Sequence, residues 1–186
     1  MVAEINFIEF NKLSYLIYRE QIIDLYFQAF TTGEYAQFLE RSSVVNTIDE
    51  LINIGGGILA LFGERPVGIL VASPLFAHFE FPITDSKDFF VDNTIYINEV
   101  VVDIDFRGRG IAEKMINVFL KNIPDKYYNA VIRVWDKNTP ALSLYNKLNF
   151  EPIASITQQK IKTSGEEFEM DKIYLYKKLN TKNGSL

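Results

Sequence analysis

A long β-branched run in this chain leads straight into a turn containing two arginines and two glycines. The segment Val100-Val101-Val102-Asp103-Ile104-Asp105-Phe106-Arg107-Gly108-Arg109-Gly110-Ile111-Ala112 reads as a buried strand, a turn and the start of an amphipathic helix. The first N–H groups of a helix have no partner inside it, and the helix dipole favours negative charge at that end. Glycine lets the backbone bend so that successive N–H groups converge on one anion. The segment is therefore suited to hold a phosphate. Arg107, Arg109 and Lys114 against Glu113 give it a local charge of +2 (three minus one), whereas the whole chain carries −5. That local inversion suits a polyphosphate ligand.

Three phosphate-binding arrangements use such a turn. A P-loop requires a Gly-Lys-Ser/Thr ending, and the chain has none. A dinucleotide fingerprint, G-x-G-x-x-G/A, counted from Gly108 meets Glu113 at its last position. It also needs an acidic residue at the end of the next strand, where Arg133 stands. What remains is R-x-x-G-x-A, met by Arg107, Gly110 and Ala112.

On these residues the chain resembles the GNAT acetyltransferase superfamily. Val102 through Ala112 follow its V-x-x-x-x-R-G-x-G-x-G/A turn. Asn138, Ala141, Tyr145 and Phe150 follow its second block, N-x-x-A-x-x-x-Y-x-x-x-G-F, in the right order and about the right distance on. One position departs: Asn149 replaces the glycine before Phe150. Asparagine is the next most tolerant residue for a left-handed helix end, so the turn is expected to survive.

The resemblance implies acetyl-CoA as co-substrate, no metal, and direct transfer of the acetyl group to a primary amine in a ternary complex. The backbone of Val100, Val101 and Val102 would pair with the pantetheine arm like an added strand. The N–H groups of Arg107, Gly108, Arg109, Gly110, Ile111 and Ala112 would hold the pyrophosphate, and Asn138 would bond the cofactor near the pantetheine. Thr139, followed by Pro140 at the first helical position, is expected to cap the next helix and leave Asn138 free for the ligand. Amine acylation poses two proton problems, because an ammonium must lose a proton and the departing thiolate must gain one. Tyr145 is suited to protonate the thiolate, and Glu99, on the strand bearing the three valines, to accept the amine's proton. The N–H of Val100 is the candidate donor to the thioester oxygen.

The elements that must position these residues are legible from periodicity. Strands are expected over residues 4–10, 58–62, 67–72, 95–102, 129–135, 150–157 and 172–179, and helices over 19–30, 47–54, 111–123 and 140–148. The fold class expected is α/β (α+β): a single GNAT-like domain over 1–180 and a disordered tail over 181–186. Its sheet would be mixed and largely antiparallel, splayed at the fourth strand near Val102, with helices on both faces. The aromatic stretch 73–93 is irregular. Phe76, Phe79, Phe81, Phe89 and Phe90 there would line an acceptor pocket, pack the loop or form a dimer contact. His78, the only histidine, reads as a loop-packing residue, Asp103 and Asp105 as turn formers, and 166–169 as a solvated hairpin tip.

Composition narrows the class. The chain has 186 residues, 48% of them hydrophobic, which fits one globular domain. With no cysteine, disulfides, thiolate metal sites and cysteine nucleophiles are excluded. An acidic net charge argues against nucleic-acid binding. No apolar run is long enough to span a membrane and the N-terminus lacks a secretory pattern, so a cytoplasmic address is expected. The acid excess points to a cationic acceptor such as a polyamine, an aminoglycoside or a peptide amine. The chain is expected as monomer or homodimer. A second reading keeps fold and cofactor without chemistry, as an acyl-CoA-binding sensor or regulatory module. A third, an interaction domain that has lost the cofactor, is disfavoured by the intact turn.

Overall fold

The structure, a computed structural model, describes residues 4–33, 36–82 and 91–179. The chain opens with β1 (Ile5–Phe10) and enters α1 (Lys12–Thr31) through a reciprocal cap. Asn11 Oδ1 accepts from the N–H groups of Leu13 and Ser14 at 3.0 and 3.1 Å, and Ser14 Oγ accepts from the N–H of Asn11 at 2.9 Å. The helix thus starts well before residue 19, where periodicity placed it. Leu13, Leu16 and Ile17 face solvent, so no apolar stripe marks the first turns and the cap alone sets the start. In α2 (Arg41–Ile54), Val44, Ile48 and Ile52 recur every four residues and are buried.

Among the described residues, seven strands form one sheet in the order β1-β2-β3-β4-β5-β7-β6. They are completed by β2 (Gly56–Phe62), β3 (Arg65–Pro74), β4 (Thr94–Val102), β5 (Asn129–Trp135), β6 (Glu151–Ile161) and β7 (Glu167–Lys178). The sheet is mixed and largely antiparallel, since only β4 and β5 run parallel. The backbones of β2 and β3 approach so closely at Gly57 that a Cβ there would sit 1.8 Å from the carbonyl oxygen of Leu70. On one face, Leu59, Leu61, Ile69, Val71 and Val101 pack with α1 and α2. On the other, Ile58, Leu70, Ile95 and Ile97 pack with α3 (Ile111–Asn122) and α4 (Thr139–Lys147). Each large aliphatic side chain buried in these layers contributes about 1.5–3 kcal/mol.

The β6–β7 hairpin runs longer than expected. Glu167 and Glu169 lie within β7, and the tip is the turn holding Gly165, braced by a 2.8 Å ion pair of Lys162 with Glu166. Of the missed residues of β6, Gln158, Gln159 and Lys160 are polar and Ile161 is exposed, as the outermost strand permits, so no apolar alternation announced them. The expected tail, 181–186, lies outside the described residues.

The feature that positions the site is in β4. This strand pairs with β3 from Gly68↔Val102 to Pro74↔Ile95, but with β5 only from Thr94↔Asn129 to Ile97↔Ile132. The sheet therefore opens at Ile97 rather than near Val102. At the same point a β-bulge leaves Asn98 unmatched, because Val71 pairs with Glu99 while Ala72 pairs with Ile97. One extra residue reverses the facing of everything beyond it. Tyr96 and Glu99 thus share a face, that of α1 and α2, while Ile97 and Val100 face α3.

Candidate functional site

Past the bulge, one edge of β4 has no partner strand among the described residues. Asp103 N–H donates to the Val67 carbonyl at 2.9 Å, so Val101 turns its N–H and C=O toward β3 by alternation. Val100 and Val102 turn theirs to the open side. The carbonyl of Val102 is met there by Nε of Arg107 at 3.1 Å. Arg109 donates to the carbonyl of Asp105 at 2.8 Å, and its guanidinium lies 4.9 Å from the ring of Phe106. Both arginines are exposed and brace the turn on its own backbone. Asp103 accepts from the N–H of Asp105 at 2.9 Å and pairs with Arg65 at 2.5 Å, the turn-forming role expected of it.

Gly108 and Gly110 adopt φ of 73° and 74°, a left-handed conformation that costs other residues roughly 1–2 kcal/mol. Gly110 is the N-cap of α3 and offers no capping side chain, so no side chain covers the amides of Ile111 and Ala112. The space above both glycines is open, with nothing within 4 Å of a built Cβ. An exposed helix start beside two arginines and an unpaired strand edge is a cradle for an anion with an extended arm.

Glu99 projects to the α1 side of the opening and accepts a 2.9 Å hydrogen bond from the hydroxyl of Tyr26. Burial raises its pKa above the ordinary carboxylate value. The Tyr26 bond and the charges of Lys172, Arg133 and Lys160 oppose that rise. A carboxylate with a raised pKa is a stronger base. Tyr26 itself is buried, and burial with the adjacent Glu99 charge holds its proton firmly. Tyr145 reaches the opening from α4. Its ring is core, 6.2 Å from that of Phe150, but its hydroxyl has no hydrogen-bond partner among the described residues. Burial and the charge of Glu99 raise its pKa. The two sequence-chosen candidates thus feel each other electrostatically across the gap.

Asn138 departs from expectation. It is the N-cap of α4 and accepts from the N–H of Ala141 at 3.3 Å, while Thr139 is already the first helical residue. Its carbonyl oxygen is therefore engaged by the helix, and its NH2 is what it offers a ligand. Asn149 adopts φ 60°, as its replacement of glycine required.

Of the described residues after β3, His78 and Phe81 pack on the second half of the sheet. His78 stacks on Tyr96 with centroids 4.1 Å apart, and its Nε2 lies 2.9 Å from the hydroxyl of Tyr174. Burial and the nearby Arg133 charge lower its pKa to about 4, so it stays neutral in its loop-packing role. Phe81 packs edge-on to Tyr174, whereas Phe76 and Phe79 face solvent. Phe89 and Phe90 lie outside the described residues. Sequence reasoning did not single out Tyr26 or Lys172 as site residues. Tyr26 gave only a helical apolar position and Lys172 only a strand start, and neither carries a local signal of its partner.

Residues 18–150 match the model of the acetyltransferase (GNAT) family. The chain belongs to the GNAT acetyltransferase family. Solved structures of similar fold include an N-acetyltransferase from Staphylococcus aureus Mu50, with 16% identity and a TM-score of 0.67, covering 94% of this chain and 99% of that one. A second is yncA, a putative acetyltransferase from Salmonella typhimurium with its cofactor acetyl-CoA, with 13% identity, a TM-score of 0.66 and 98% of each chain covered. A third is the ribosomal-protein-alanine N-acetyltransferase from Brucella melitensis, with 14% identity and a TM-score of 0.65, covering 95% of this chain and 99% of that one. No curated protein gave a sequence match. The GNAT acyl donor, acetyl-CoA, fits the residues present: the exposed amides at Gly110 to Ala112 suit its pyrophosphate, and the open edge at Val100 and Val102 suits its amide-bearing arm. No helix of the described residues is long and apolar enough to cross a membrane.

Proposed function

We propose that this GNAT protein transfers an acetyl group from acetyl-CoA to a primary amine by direct attack in a ternary complex. The observation that carries this reading is the pairing of Glu99, held by Tyr26 at the open edge of β4, with a Tyr145 hydroxyl that has no hydrogen-bond partner among the described residues. When bound, acetyl-CoA supplies an acyl group activated as a thioester. Val100 and Val102 align its arm through their outward amides, and Arg107 to Ala112 hold its phosphates.

Glu99 takes the proton from the acceptor ammonium and frees the nitrogen lone pair. The N–H of Val100 donates to the acyl oxygen as charge builds there. The C–N bond forms, the C–S bond breaks, Tyr145 gives its proton to the departing sulfur, and the second proton that the nitrogen sheds on becoming an amide restores the Tyr145 hydroxyl. The two proton steps are coupled in order. Once Glu99 is protonated its charge is gone, and with it one of the two causes that hold the Tyr145 proton in place. Base acts first and acid second.

Calorimetric titration with acetyl-CoA, followed by thiol release across a broad amine panel, tests the reading. Wild type should bind in the micromolar range, and Gly110→Glu, which puts a strained side chain and a like charge on the phosphate turn, should lose about 100-fold or more in affinity. Binding without thiol release from any amine would instead support the sensor reading. Absence of binding to wild type withdraws the enzyme claim.

A further inference from the structure

The face that carries Glu99 continues across β5, β7 and β6, and its charges do not cancel. Arg133 on β5 stands opposite Tyr174 on β7, and Lys172 stands opposite both Trp135 on β5 and Ile156 on β6. Tyr174 packs in one buried cluster with Tyr96, so Lys172, two residues away on the same strand, shares the face of Tyr96 and Glu99. Lys160 joins them by the same alternation along β6 from Ile156.

Arg133 is already satisfied. It pairs with Glu80 at 2.6 Å and reaches the Tyr174 hydroxyl at 3.3 Å. Glu80 in turn accepts from Nε2 of Gln158 at 3.0 Å on each oxygen. Lys172 and Lys160 have no carboxylate within ion-pairing distance among the described residues. The charges that act on Lys172 are Arg133, Lys160, Glu99 and Glu80. With Arg133 and Glu80 neutralising each other, two lysines remain against the single carboxylate of Glu99. Burial, then Arg133 and Lys160, lower the Lys172 pKa to about 8 against the pull of Glu99 and Glu80. On the same strand as Lys160, Oε1 of Gln158 is buried with no hydrogen-bond partner among the described residues.

A half-buried ammonium without a counter-ion is an unfavourable arrangement that an arriving anion relieves. A polyamine acceptor would do the opposite, since its second cation would meet two lysines as its first approached Glu99. The local charge on this face thus points the other way from the overall acidity of the chain. We propose that the acceptor is an amine carrying a carboxylate a few bonds away, as an amino acid or an acidic N-terminal residue does, with its ammonium at Glu99 and its carboxylate received by Lys172. Only β5 lies between the two strands that bear these residues, and the charge of Lys172 acts on Glu99 across it. This rests on the transferase reading above.

The test is a set of matched acceptors assayed by thiol release: free amino acids beside their amides, and short peptides beginning with Asp or Glu beside the same peptides beginning with Asn or Gln. The first pairs report an α-carboxylate and the second a side-chain carboxylate. Wild type should prefer the carboxylate member of one set by tenfold or more in kcat/KM. Lys172→Gln should erase that preference through KM for the acceptor, Lys172→Arg should restore part of it, and the calorimetric affinity for acetyl-CoA should not change in either variant. Equal rates for both members of each pair, better rates with diamines, or a preference that survives Lys172→Gln with acetyl-CoA binding intact overturns the proposal and leaves the transferase standing. Failure of wild type to bind acetyl-CoA or release thiol with any amine overturns both.

Discussion

The two halves of β4 share one strand and have opposite fates. From Thr94 to Ile97 it is bonded on both sides and its side chains are buried. From Glu99 to Val102 it is bonded on one side, and half-buried side chains outnumber buried ones. Both halves are built mainly of β-branched residues, Thr94, Ile95 and Ile97 beside Tyr96 in one and three valines beside Glu99 in the other. The difference comes from Asn98, whose bulge turns the facing, and from β5, which leaves at Ile132. The paired half supplies rigidity and the open half supplies donors, acceptors and a base held still by that rigidity.

The contrast predicts which measurement each half should move. Ile97→Ala, in the paired half, should cost about 2–5 kcal/mol of stability by denaturant titration. If the comparison holds, acetyl-CoA affinity in the folded variant stays near wild type, and a matched loss of affinity would erase the distinction. Glu99→Gln, in the open half, should lower turnover about 100-fold or more while the fold persists, and Tyr145→Phe should do the same from across the gap. Near-normal rates would remove the residue concerned from the mechanism.

Glu99→Gln also carries a signed stability prediction. The carboxyl has a higher pKa folded than unfolded, so the stability it lends is fully present below the unfolded value and is lost as pH rises through the folded one. The thermal midpoint of Glu99→Gln should therefore gain on wild type as the solution is taken from pH 4 to pH 8. A gap that does not change with pH would mean that Glu99 titrates as it does in the unfolded chain. The smallest effect belongs to Tyr26→Phe. It removes the hydrogen bond that opposes the rise, so the acid limb of the kcat/KM profile should move to higher pH, with a rate loss near neutrality of roughly threefold. An unmoved limb would show that this bond does not tune the base.

What the sequence revealed depended on how local the cause was. The turn from Val102 to Ala112 was legible because a glycine-dependent backbone conformation and a helix start lie within a dozen residues. Asn149 was legible for the same reason. The bulge at Asn98 was not, because nothing in a β-branched run announces which residue will be left unmatched. The start of α1 was hidden behind exposed Leu13, Leu16 and Ile17, and only the Asn11–Ser14 pairing marked it. The cap of α4 went to Asn138 rather than Thr139, a one-residue difference that periodicity does not resolve. Tyr26, Lys172 and Arg133 converge on Glu99 from α1, β7 and β5, and such convergence belongs to the packed sheet rather than to any one stretch of chain.

The open edge of β4 has a consequence for self-association. Unpaired N–H and C=O groups on an outermost strand are a template on which another molecule's strand can grow, and proteins guard such strands with charge or distortion. Here the unpaired stretch lies in the interior of the sheet, between β3 and β5, with Arg107 closing one end on the Val102 carbonyl. Flanked on both sides by strands of its own sheet, this edge has no room for a second sheet to grow on it. The protein can thus keep adhesive backbone exposed at its working centre without becoming prone to fibre formation there.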